Sequence, residues 1–222
     1  DEIAGLYMVQ GILLALLERQ QTERGQLVEV ALHDALLSMF TFQAQRYLSA
    51  GLQPQRMGNR HPSIVPYETF EAADGTIVVA VGNEGIWERF CTVLGVQHLL
   101  GHERFARNPN RVANREQLEK ELAPVFLEHP IAYWEEQLSA SGVPCGRVRA
   151  LNEVIESERR TGRDMVVDID GLELLGVPIK LSRSPARVKV RPPQLGEHTE
   201  AVLTALGHTV EEITEWRDAG VI

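Results

Sequence analysis

A carboxylate followed at once by a long apolar helix constrains this chain more than any other feature. Asp1 leads into Glu2-Ile3-Ala4-Gly5-Leu6-Tyr7, and Leu6, Val9, Leu13, Leu16 and Leu17 recur at helical spacing as far as about Gln21. Ala4, Gly5, Gly11 and Ala15 are small and let a second element approach closely. Thr22 to Gly25 reads as a turn, Gln26 to Ala31 as a short strand, and Asp34 to Leu48 as a second long helix. Helix, strand, helix in this order belongs to an α/β layer. The apolar run Ile3 to Leu17 is broken by Gln10, lacks the basic start of a signal peptide, and is shorter than the roughly 20 residues that span a bilayer. It is therefore expected as a core helix. With no initiator Met and no polar lead-in, the chain reads as cut, and Asp1 as a group that an upstream half would enclose.

Composition narrows the partners. A chain of 222 residues can bury a sizeable core as one large domain or two small ones, and the segment pattern favours two. With 22 basic and 31 acidic residues, the net charge of -9 gives no general attraction to nucleic acid or to an anionic membrane surface. Local arginines such as Arg56 and Arg60 still allow an anionic small ligand. Cys91 and Cys145 are far apart without a CxxC, which points to packing residues in a reducing, cytoplasmic setting. His33, His98, His102, His129, His198 and His208 read as surface or capping residues, and no metal is expected. Neither a Gly-rich phosphate loop nor a serine nucleophile elbow occurs.

Further along, Gly51 to Pro66 is rich in Gly, Pro, Arg and Asn, and is long enough for a functional loop. Tyr67 to Ala72 and Thr76 to Val81 flank Asp74-Gly75, a type I′ hairpin signal. Helices are predicted at Gly85 to Leu94, Asn114 to Glu128, Ile131 to Ser141 and Leu151 to Arg159. Short strands are predicted at Met165 to Asp170, Glu173 to Val177 and Pro178 to Leu181, then an extended stretch from Ser184 to Pro193. Two final helices, Thr199 to Leu206 and Val210 to Asp218, stop before Gly207 and Gly220.

Three ordered blocks carry a family resemblance. They are Asp1 to Tyr7 leading to Gly25-Gln26-Leu27-Val28-Glu29-Val30; Gly58-Asn59-Arg60-His61-Pro62 through Pro66-Tyr67 to Asp74-Gly75; and Pro193-Gln194-Leu195-Gly196-Glu197-His198-Thr199. Together with Gly82-Asn83-Glu84-Gly85 they resemble the class III CoA-transferases, the carnitine-dehydratase and bile-acid-inducible type that includes L-carnitine, formyl-CoA and succinyl-CoA transferases. The resemblance implies that Asp1 is a catalytic nucleophile, attacking an acyl-CoA thioester to give an acyl-aspartyl anhydride and then an aspartyl-CoA thioester from which a free acid collects the CoA. From the residues alone, Asp1 reads as a helix N-cap rather than a nucleophile, and it is the resemblance that reverses that reading. Gly58, Asn59, Arg60 and His61 fall where the family has a substrate-binding loop. The glycine run of the formyl-CoA enzymes is absent there. Arg60-His61-Pro62-Ser63-Ile64 looks more like members using succinyl-CoA or another dicarboxyl-CoA, where a cation meets the free carboxylate.

The resemblance also implies a fold: the C-terminal portion of an α/β protein, comprising the edge of a Rossmann-like large domain and a small α+β domain, with an interlocked homodimer for the full-length form. On that map residues 1–50 and 165–222 belong to the large domain, 57–143 form the small domain and 144–164 link them. Most contacts to CoA, a substrate rather than a tightly bound cofactor, would lie upstream, so this chain alone is expected to be inactive. Two alternatives stand beside the transferase. One is an α-methylacyl-CoA racemase of the same family, whose acid/base partner would be an upstream histidine. The other is a non-catalytic fragment or interaction subunit.

Overall fold

The computed structural model describes residues 1–222. The chain forms two compact units, Asp1–Asp74 with Val78–Cys145, and Gly75–Ile77 with Gly146–Ile222.

The first unit opens with α1 (Glu2–Thr22), stopped by Glu23 in the left-handed conformation at φ 58°. The predicted strand at Gln26–Ala31 is not formed. A strand needs a ladder partner, and no segment of this chain pairs with it; Arg24–Ala31 instead runs irregularly beside α1, where the bare Cα of Gly11 admits the Val28 side chain. The predicted second long helix is two, α2 (Leu32–Ser38) and α3 (Thr41–Ala50), separated where Thr41 takes φ 43°. A β-branched residue in that region costs about 1–3 kcal/mol, so the break is held by its surroundings rather than by propensity.

The expectation of a core helix also fails for α1. Ala4 is its only buried residue, and Leu6, Val9, Leu13, Leu14 and Leu17 are exposed. Apolar residues occur on every side of this helix, which therefore needs cover on every side. Within the chain it packs mainly on α2, where Tyr7 Oη and Ser38 Oγ lie 2.9 Å apart.

After an irregular stretch, β1 (Tyr67–Ala72) and β2 (Gly75–Ala80) form the predicted hairpin, and β3 (Cys145–Arg147) adds to β2 in the order β1-β2-β3. The turn is not type I′, because that turn requires φ > 0 at both central residues and Asp74 is not among the residues with positive φ. The Asp74 carboxylate instead accepts the Ile131 N–H at 2.7 Å and so caps α7 (Ile131–Ala140). Between lie α4 (Glu84–Leu94), α5 (Asn108–Ala113) and α6 (Arg115–Phe126). The core gathers Phe70, Phe90, Leu118, Leu122, Phe126 and Trp134, all buried, with Phe70 stacked on Phe126 at 4.6 Å and Trp134 Nε1 donating to the Phe126 carbonyl at 2.9 Å.

The second unit carries α8 (Leu151–Thr161), the antiparallel hairpin β4 (Val166–Ile169) and β5 (Leu172–Leu175), α9 (Thr199–Ala205) and α10 (Val210–Asp218). The third strand predicted there, Pro178 to Leu181, is irregular, because its leading proline has no N–H to donate and no strand lies beside it. Packing is sparse: Ile213 is the apolar side chain buried to core level within 146–222. No helix in the structure is long and apolar enough to cross a membrane.

Candidate active site

Asp1 stands at the N-cap of α1, where one carboxylate oxygen accepts the Glu2 N–H at 2.9 Å and the carbonyl accepts the Gly5 N–H at 2.8 Å. The side chain is exposed. The carboxylate thus sits at the positive end of the α1 dipole. No hydrogen bond or ion pair joins Asp1 to the Gly58–His61 loop, so the two parts of the predicted site are not tied to each other in this chain.

The loop itself is built residue by residue. Gly58, at φ 61°, lets the chain turn so that the Arg60 N–H reaches the Met57 carbonyl at 3.2 Å, with Asn59 exposed at the tip. Arg60 does not reach outward. Its Nη2 lies 2.5 Å from Glu119 Oε2 on α6, and its Nε 3.5 Å from Glu68 Oε2 on β1. His61 is sandwiched between Phe42 and Tyr67, with ring centroids at 5.5 and 5.2 Å. Its Nδ1 accepts the Ser63 N–H at 3.2 Å, which fixes the proton of the neutral ring on Nε2. Burial, with the nearby charges of Arg115 and Arg46, holds this imidazole below its usual range and so neutral.

Three side chains absent from the sequence reading hold the loop. Arg115 donates to the His61 carbonyl at 2.5 Å; Asn108 donates to the Ser63 carbonyl at 2.8 Å and accepts the Val65 N–H at 3.0 Å; Arg111 donates to the Val65 carbonyl at 2.7 Å. Arg111 is fully buried. It also bonds Glu84 at 2.8 Å and the Phe105 carbonyl at 3.0 Å, and lies 4.7 Å over the Trp87 ring. Burial would raise the Glu84 carboxyl, but the Arg111 hydrogen bond and the Asn108 N–H outweigh it and hold Glu84 below the usual range. The sequence offers for this clamp only a helix start at Asn108-Pro109 and arginines four apart at 111 and 115, which is also the spacing of an ordinary solvated pair.

Beneath the loop lies an acid pair. Glu68 occupies an inward position of β1 beside Phe70 and Ala72, and is 4% exposed. Burial above all, then the hydrogen bond and charge of Glu119, push its carboxyl up to about 7 against the opposing Arg115 and Arg60. Oε1 of Glu119 is buried and has no fixed donor. A proton shared between the two carboxyls accounts for both observations. The pair lines a cleft of about 550 Å³ with Gly58, Asn59 and Arg60.

The comparisons with known proteins agree with this architecture. Residues 1–199 match the family described as CoA-transferase family III. An acyl-CoA transferase of Fusarium pseudograminearum is 32% identical across the whole chain and half of that protein. A succinate–glutarate CoA-transferase of Agrobacterium fabrum is 33% identical over 95% of the chain and 54% of its own length. In structure, a CAIB/BAIF family protein from Brucella suis superposes with a TM-score of 0.77 at 36% identity, covering 92% of this chain and 54% of that one. The chain thus spans about half the length of the relatives it matches, and its mixed α/β architecture is part of the class III fold. It belongs to CoA-transferase family III.

Proposed function

We propose that this chain is the nucleophile-bearing portion of a CoA-transferase that moves coenzyme A between a dicarboxyl-CoA, such as succinyl-CoA or glutaryl-CoA, and a free carboxylic acid. The observation that carries the reading is an exposed carboxylate, Asp1, capping the long first helix of a family III chain. The relatives named above, transferases by name, set it ahead of a racemase.

In this reading a carboxylate oxygen of Asp1 attacks the thioester carbonyl and CoA leaves as thiolate, giving a mixed anhydride. The thiolate then attacks the aspartyl carbonyl, releasing the donor acid and leaving an aspartyl-CoA thioester. The acceptor carboxylate repeats the exchange in reverse, and Asp1 is regenerated. No net proton or electron is moved, so no general base is required. The clamped loop, with its neutral His61, forms a fixed wall rather than a flexible flap. Its glycine-free Arg60–Ile64 run is the part expected to meet the substrate acyl group.

Residues 1–50 and 165–222 are assigned to the large domain of the whole protein and 57–143 to its small domain, with a cytoplasmic, interlocked homodimer as the working assembly. The exposed apolar faces of α1 would then be covered by the rest of that assembly. The chain alone would transfer no CoA. The test uses the complete protein with succinyl-CoA and glutarate, trapped with hydroxylamine and mapped by mass spectrometry. Modification on Asp1, abolished with turnover in Asp1→Asn, is the expected result. Undiminished transfer in that variant, or α-proton exchange of a 2-methylacyl-CoA without transfer, would overturn it.

A further inference from the structure

A second, larger cleft of about 720 Å³ shares Arg56, Met57 and Arg60 with the one lined by the acid pair. Four basic side chains line it, Arg56, Arg60, Arg115 and Lys120, against one acidic one, Glu116. Their partners separate them into two kinds. Arg60 and Arg115 are held by Glu68 and Glu119, whereas Arg56 and Lys120 have no hydrogen-bond or ion-pair partner in the protein. Two cations therefore stand in one concave site without an ion-pair partner, next to two arginines already fixed in place and with Glu116 as the one acidic residue of the lining.

The floor of the cleft adds donors. It includes the first turn of α6, a helix of 12 residues whose N-cap, Asn114, does not cap it: the Asn114 amide donates instead to the Asn110 carbonyl at 2.8 Å. The opening N–H groups of Arg115 and Glu116 are left for an acceptor that the chain does not supply. Nor are the paired arginines fully neutralised. The Glu68 carboxyl beside them is pushed up to about 7, so it does not carry a full negative charge at neutral pH. The whole chain, at -9, repels extended polyanions, which leaves a small ligand able to enter a local positive site.

We propose that this cleft binds a small, doubly charged oxyanion, a dicarboxylate or a phosphate group, through Arg56 and Lys120 with Arg115 and the α6 N-terminus beneath it. Arginine matches either group with paired donors, and lysine adds a point charge. The inference does not rest on the transferase reading, since it concerns binding by residues of one compact unit and requires no turnover.

The test is titration of the 222-residue chain, followed by ¹H–¹⁵N NMR, with succinate and with inorganic phosphate, against acetate and chloride at matched ionic strength. Saturable shifts at Arg56–Arg60 and Asn114–Lys120 are expected for at least one of the dianions, weakened at least tenfold in the Arg56→Gln/Lys120→Gln double variant and unchanged in the exposed control Arg183→Gln. Saturation by succinate alone assigns the site to dicarboxylates, and by phosphate alone to phosphoryl groups; either supports it. Shifts that stay linear, that acetate and chloride reproduce, or that survive the double variant would overturn it. Asp1→Asn, which disables the proposed transfer, should leave this binding intact, so failure of one proposal is distinguishable from failure of the other.

Discussion

Replacing Glu68 by Gln should stabilise the protein at alkaline pH, although Glu68 has two arginines as neighbours. The sign follows from the proton. Glu68 has its carboxyl raised from 4.5 to about 7 in the fold, chiefly by burial and then by Glu119. The native state therefore binds more protons than the unfolded chain between those values, and stability falls as pH rises through them. The stabilisation is complete below about pH 4.5 and gone above about pH 7. At ~1.4 kcal/mol per pH unit the full excursion is worth at most roughly 3–4 kcal/mol. An amide imitates the protonated carboxyl, being neutral and able to donate to Glu119 Oε1. Glu68→Gln should thus match the parent near pH 5 and exceed it by about 1–3 kcal/mol near pH 8. Urea unfolding, read by fluorescence of the buried Trp87 and Trp134, measures this across pH 5 to 8.5. His61 works in the opposite sense: held low by burial, Arg115 and Arg46, it takes stability away as pH falls below about 6.5. Since both proteins contain it, their difference isolates Glu68. A variant destabilised by more than about 1 kcal/mol at every pH would show that Glu68 is an ionised partner of Arg60 and Arg115, and the shared-proton argument would be wrong.

Other perturbations probe the scaffold. Arg111→Met removes the donors to Val65, Phe105 and Glu84 together and should cost about 3 kcal/mol, the low end for a broken buried pair because Glu84 is part-exposed; thermal unfolding would register it, and a loss under 1 kcal/mol would remove the clamp from the account. Gly176→Ala places a Cβ 1.9 Å from the Asp164 carbonyl oxygen, a backbone atom that cannot rotate away, so a loss of roughly 2 kcal/mol or more and faster amide exchange along β4–β5 are expected. The Cys91 thiol, fully buried and pushed up to about 12 by burial, should resist iodoacetamide at pH 8 while the partly exposed Cys145 reacts; equal labelling of the native protein would contradict that packing.

The sequence was most readable where local signals and tertiary packing agree. Asn83 caps α4 with its side chain on the Ile86 N–H at 2.9 Å, Gly95 closes the helix in the left-handed conformation, and both ends were legible from residue type. The alternation of β1 puts Glu68 on the inward face with Phe70 and Ala72, so a buried acid could have been read from period two alone. Its consequence could not, because the partner carboxyl comes from Glu119, some fifty residues away on α6. The loop clamp was hidden for the same reason: arginines at 111 and 115 look like an ordinary solvated pair until α5 and α6 bring them under the backbone of residues 61–65.

The misread elements are those whose formation depends on a neighbour. Leu27-Val28-Glu29-Val30 has the composition of a strand and α1 that of a core helix, yet the first has no ladder and the second is largely uncovered. Tyr67–Ala72 has no stronger claim to β structure by residue type, and it forms because β2 lies beside it and Phe126 beneath. Hydrophobic pattern therefore states what an element requires, while hydrogen-bond partners and cover decide whether it obtains it. The same distinction runs through the candidate site. Asp1 satisfies a local rule as an N-cap and is complete without any tertiary contact, whereas Arg60, His61 and Glu68 owe their positions, and the last two their protonation states, to groups brought in by the fold.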